Sequence, residues 1–240
     1  MSGQRAEIAT RERLIVALDV ATRAEALGLV DRLGDSVWFY KIGMELLTSG
    51  AYFEVLEELA ARGKRVFVDL KFFDVPATVA SAVQGLSRYP VSFCTVHGNN
   101  AMLAAAVACK HSIKLLAVTA LTSLDQQDLN DLGFQCDAHR LVLARARAAL
   151  ALGCDGVVSS GLEVAALRRE LDPGLIVVCP GIRPIANTEQ AGDDQKRTVD
   201  LRQAFLNGAD YVVVGRPIRT APDPRAAAQA AQEEIFRLFS

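Results

Sequence analysis

The stretch RVFVDLK at 65–71, followed by FFDVP at 72–76 and TVASAVQGLS at 78–87, sets the pattern from which the fold is read. Val66, Phe67, Val68 and Leu70 make the first piece apolar on both faces, as in a strand covered on both sides. In the last piece Val79, Ala82, Val83 and Leu86 recur at helical spacing and form one apolar stripe. The same unit repeats in both directions. Apolar, β-branched runs predict strands at Leu14–Val20, Val37–Ile42, Arg65–Lys71, Ser92–His97, Lys114–Leu121, Gly156–Ser160, Leu175–Cys179 and Tyr211–Gly215. Between them, stretches rich in Ala, Leu, Glu and Arg predict helices, among them Ala51–Arg62, Thr78–Ser87, Arg140–Leu152 and Arg225–Phe239. Eight such alternations predict an α/β fold, a (β/α)8 TIM barrel forming a single domain over residues 14–240 behind an N-terminal tail, 1–13. A doubly wound open sheet would need a glycine-rich first turn, and Asp19-Val20-Ala21-Thr22 has none.

Composition narrows the class of function. Of 240 residues, 51 % are hydrophobic and 22 % charged, the balance of a globular chain. A net charge of −2 lacks the basic excess of a nucleic-acid binder. Five scattered cysteines and three histidines show no metal-ligand spacing, so we expect no metal and reduced thiols in a cytoplasmic protein. Residues 1–13 hold Arg5, Glu7, Arg11, Glu12 and Arg13 without an apolar core, which predicts a frayed tail, not a signal peptide. The apolar runs are strand-sized, so no membrane span is expected.

Barrels of this kind place their chemistry at the C-terminal ends of the strands. Charged or polar residues stand at many of those ends: Asp19, Lys41, Asp69, Lys71, His97, Thr122, Arg183 and Arg216. Asp69 and Lys71 are two apart on a strand, so both should face the barrel mouth, where Lys41 of the neighbouring strand also arrives. Asp74 lies in the turn beyond. Alternating ammonium and carboxylate groups in a shielded site keep one another ionised. Such an array could merely close the barrel mouth as an ion-pair network. With Lys41 and Asp74 added to the pair, catalysis is the better account. Gly215-Arg216 after the eighth strand suits a phosphate, and the long polar loop Arg183–Thr198 has the character of a lid from which Gln195 would reach the same group. His97, beside Gly98 and Asn99, is given a structural role.

Asp-Leu-Lys-Phe-Phe-Asp-Val-Pro-Ala-Thr at 69–78 resembles the signature of the orotidine 5′-phosphate decarboxylase family. Matching segments follow in order at 18–20, 40–43, 118–123, 180–184, 192–195 and 214–218. Phe73 and Ala77 depart from the histidine and asparagine expected there, but neither belongs to the charged array. The resemblance implies conversion of orotidine 5′-phosphate to uridine 5′-phosphate and carbon dioxide, the last step of de novo pyrimidine synthesis, without metal or organic cofactor. It implies that Lys71 donates a proton to C6 of the pyrimidine, that Asp69 lies against the departing carboxylate, and that Lys41 and Asp74 hold Lys71. It also implies ribose contacts from Asp19, Lys41 and Thr78, pyrimidine contacts from Thr122 and Pro180, and a phosphate site of Gln195, Gly215 and Arg216 with Arg183 at the base of the lid. A homodimer in which Asp74 and Thr78 complete the partner's site is implied as well. Two rivals remain. An enzyme resembling 3-keto-L-gulonate 6-phosphate decarboxylase would use magnesium, with an acidic residue where Lys41 stands. A non-catalytic phosphate-binding barrel would gain little from burying four charges.

Overall fold

The computed structural model describes residues 7–183 and 197–240. Its strands are β1 (Leu14–Ala17), β2 (Phe39–Gly43), β3 (Arg65–Phe72), β4 (Phe93–Val96), β5 (Lys114–Val118), β6 (Gly156–Val158), β7 (Ile176–Cys179), β8 (Ile182–Arg183), β9 (Val199–Asp200) and β10 (Tyr211–Val214). β1 to β7 and β10 pair in parallel and close on themselves, with β10 lying between β7 and β1. The expected (β/α)8 barrel is therefore present, and each of its strands falls on one of the anticipated runs. β8 and β9 form a small parallel pair of their own, Ile182 beside Val199 and Arg183 beside Asp200. Helices occupy Tyr52–Ala61, Pro76–Leu86, Ala138–Ala151 and Pro224–Phe239, close to the four named from periodicity. Pro76 opens the second of these, at a position where its missing N–H costs nothing and its fixed φ already suits a helix.

The core has two shells. Outside the strands, Val16, Val66, Val68 and Val212 are buried in one continuous apolar layer with Leu29, Leu56 and Val83 of the helices. Inside the barrel lies a separate cluster of Ile15, Phe39, Phe67, Phe93, Leu116, Val178, Tyr211 and their neighbours. The rings of Phe93 and Tyr211 meet edge-on at 5.1 Å, and Phe93 also packs against Phe39 at 5.1 Å and Phe67 at 5.9 Å. Below them Arg65 lays its guanidinium 4.4 Å from the Phe39 ring centre and pairs with Glu12 at 2.5 Å. This closes the N-terminal end of the barrel.

Glu12 belongs to the segment expected to be frayed. Thr10–Glu12 instead forms a short 3-10 turn, with Arg11 stacked 4.2 Å over Trp38 and Arg13 3.8 Å over Phe239. Composition alone pointed to a tail. The cation–ring contacts that pin the segment are long-range and leave no periodic mark. Among the described residues no helix is long and apolar enough to cross a membrane.

Candidate active site

Alternation along the strands carries the aromatic floor up to a charged rim. Two residues beyond Phe39, Phe67 and Phe93 come Lys41, Asp69 and Thr95, since every second side chain of a strand points inward. Their heads meet. Lys41 Nζ donates to Asp19 Oδ1 at 2.8 Å and lies 3.6 Å from Asp69 Oδ2. Lys71 Nζ donates to that same Asp69 oxygen at 3.0 Å. The order is thus Asp19, Lys41, Asp69, Lys71, with opposite charges adjacent throughout. Burial disfavours the carboxylate of Asp69, yet the ammonium groups of Lys41 and Lys71 and the donors around it hold its pKa below the ordinary value. Burial likewise acts against the Lys41 ammonium, and Asp69 and Asp19 outweigh it, raising its pKa. Both central groups stay ionised because each is enclosed by the other's charge.

The position of Lys71 depends on an irregularity in β3. The register runs Val68 beside Cys94 and then Phe72 beside Val96, so three residues of β3 face the single Thr95 of β4. Within this bulge Lys71 has φ +50°, a left-handed conformation that a residue with a Cβ rarely adopts. Thr95 fills the gap. Its hydroxyl accepts the Lys71 N–H at 2.9 Å and donates to Asp69 Oδ1 at 2.9 Å, leaving Oδ2 for the two lysines. Sequence reasoning missed Thr95 by looking only at the strand's last residue, His97. The available signal was the inward alternation Phe93, Thr95, His97. His97 itself packs edge-on against Phe73 at 5.5 Å, and its pKa is lowered by burial and by Arg145 and Lys71.

Above the array opens a cavity of about 770 Å³. Asp19, Lys41, Asp69, Lys71, Thr122, Pro180, Arg183, Gly215 and Arg216 all line it, so nine of the residues singled out from sequence converge on one space. Gly181 turns the chain after β7 with φ +70°, which its lack of a side chain permits. Gly43 also lines the cavity, and a Cβ there would come within 3.2 Å of Lys41 Nζ. Asp74 and Thr78 do not join the cavity wall: both are exposed, and Asp74 accepts the N–H of Val75 at 2.6 Å. Among the described residues Lys71 pairs with Asp69, and no ion pair joins it to Asp74. Phe73 and Val75 flank it with 66 % and 60 % of their surface exposed. Gln195 lies outside the described residues.

A family model described as Orotidine 5′-phosphate decarboxylase / HUMPS family matches residues 12–231. The orotidine 5′-phosphate decarboxylase of Methylococcus capsulatus is 61 % identical over 233 residues, covering 97 % of this chain and 96 % of its own. That of Stenotrophomonas maltophilia is 58 % identical over 226 residues, 93 % of this chain and 92 % of its own. Among solved structures, orotidine 5′-phosphate decarboxylase from Lactobacillus acidophilus superposes with a TM-score of 0.81 at 33 % identity, covering 93 % of this chain and 99 % of that one.

Proposed function

The chain belongs to the orotidine 5′-phosphate decarboxylase / HUMPS family, and from that premise we propose that it converts orotidine 5′-phosphate to uridine 5′-phosphate and carbon dioxide. The observation that carries this is the alternating order Asp19, Lys41, Asp69, Lys71 lining the cavity, with Lys41 and Asp69 the most enclosed. When the bond from C6 to the carboxylate breaks, its electron pair stays in an in-plane orbital at C6 while carbon dioxide departs. A fixed ammonium stabilises that pair as it forms and then transfers its proton to C6. Lys71 is assigned this role, because Asp69 and the bulge hold its head in place before substrate arrives. Asp69 lies against the departing carboxylate, and Lys41 keeps Asp69 charged.

At the other end of the cavity, Gly215 and Arg216 take the phosphate, with Gln195 and Arg183 beside it. Thr122 reads the pyrimidine edge, Pro180 borders the ring, and Asp19, Lys41 and Thr78 meet the ribose. The exposed turn with Phe73, Asp74 and Val75 supports a homodimer in which Asp74 and Thr78 complete the partner's site. No metal or organic cofactor takes part. Lys41 sits between the carboxylates of Asp19 and Asp69, the space a magnesium ion would need, which favours this reaction over a magnesium-assisted one. Cys94, Cys109, Cys136, Cys154 and Cys179 are free thiols, which supports a cytoplasmic setting.

The direct test follows ultraviolet absorbance of purified protein with orotidine 5′-phosphate, with and without a chelator. Turnover unaffected by the chelator is expected. Absence of turnover would refute the assignment, and loss with chelator would restore the magnesium-using rival. A second expectation concerns Arg216→Ala. Its interaction energy is available only when a phosphate is present, so kcat/KM for orotidine 5′-phosphate should fall by roughly 30-fold or more, the worth of a charge-assisted contact. Turnover of plain orotidine should barely change. Equal losses on both substrates would show that Arg216 serves the barrel instead.

A further inference from the structure

Glu163 and Arg197 form an ion pair, and both side chains are almost wholly buried, at 7 % and 10 % exposure. Neither lines the cavity. Arg197 nevertheless joins three parts of the mouth. Its N–H donates to the Thr122 carbonyl at 3.2 Å, beyond the end of β5. Its carbonyl accepts from the Ser160 hydroxyl at 3.1 Å, beyond the end of β6. Its guanidinium reaches Glu163 on the same turn, where the Glu163 N–H closes onto the Ser160 carbonyl at 3.2 Å. The next residue, Thr198, lines the cavity, and Val199 pairs with Ile182.

We propose that the Glu163–Arg197 pair is a positioning clasp that sets Thr122 and Thr198 against the substrate, so that its integrity governs turnover and not only folding. The proposal rests on the assignment of Thr122 to the pyrimidine edge. A single backbone hydrogen bond is a weak tether by itself, whereas a buried pair resists separation because parting it strands two charges. Breaking one partner alone would confuse the test, since the uncompensated charge destabilises the fold. The double variant Glu163→Met/Arg197→Met removes both charges and keeps much of the volume, an exchange that is often neutral or stabilising.

The measurement is kcat and KM for orotidine 5′-phosphate alongside the melting temperature. The double variant is expected to melt close to the parent and to lose roughly tenfold or more in kcat, as misplacement of a substrate-contacting group does. Arg197→Lys retains a cation facing Glu163 but moves its charge onto a flexible, compact head, and it should lose kcat while remaining folded. Parent-like kcat and KM in either folded variant would overturn the clasp and leave the pair a structural one. Thr122→Ala separates the two levels. Full activity in Thr122→Ala would bring down the pyrimidine contact on which the clasp depends. Impaired Thr122→Ala beside fully active pair variants would bring down the clasp alone.

Discussion

Lys71→Ala is expected to remove nearly all decarboxylation while leaving the fold in place. In the proposed mechanism one ammonium serves both as the charge that faces the developing carbanion and as the source of its proton. Preorganised charge contributes roughly 10²–10³-fold and general acid catalysis roughly 10²–10⁴-fold, so losing both should cost about 10⁴-fold or more in kcat. The fold should tolerate the change. Asp69 would still have Lys41 at 3.6 Å and the Thr95 hydroxyl at 2.9 Å, and is not left as a bare buried charge. Absorbance kinetics measure the loss, circular dichroism the fold, and calorimetry the affinity for uridine 5′-phosphate, which should stay within a few-fold. A Lys71→Ala enzyme turning over within a few-fold of the parent would end the proposed mechanism.

The second large effect is a gain. Asp74→Asn should be nearly inactive by itself, as Lys71→Ala is, because Asp74 is assigned to the partner's site. Refolded together, the two variants should recover activity that neither has alone. A two-fold interface exchanges the same residue in both directions, so in a mixed dimer one site collects both defects and the other collects neither. Equal amounts pairing at random make half the dimers mixed, with one intact site in each, which returns about a quarter of parental activity. The exposure of Asp74 and its place outside the cavity wall are what such sharing requires. Mixed dimers that form without regaining activity would place Asp74 in the service of its own subunit.

The barrel was legible because its strands are buried on both faces, and burial of that kind writes continuous apolar runs into the chain. Charges at the ends of those runs then stood out, and Asp19, Lys41, Asp69 and Lys71 do converge. What stayed hidden has physical reasons. Thr95 is a β-branched residue inside a strand and looks like any other strand former. The bulge at Lys71 has no glycine to announce it. β8 and β9 hold two residues each, too few for any period to register. Glu163 and Arg197 are separated by 33 residues of sequence, and one charge among several in a polar loop says nothing of its distant partner.

The left-handed backbone at Lys71 sets two selective pressures against each other. Holding a residue with a Cβ at φ +50° costs roughly 1–2 kcal/mol, whereas glycine would adopt it freely at an entropic cost of roughly 0.5–1 kcal/mol. On backbone energy alone, glycine wins by a margin on the order of 1 kcal/mol. A lineage of this barrel freed from its chemistry would therefore drift toward glycine at position 71 and become sturdier as it lost the reaction. On the role proposed for Lys71, lysine is kept there because turnover outweighs that margin of stability.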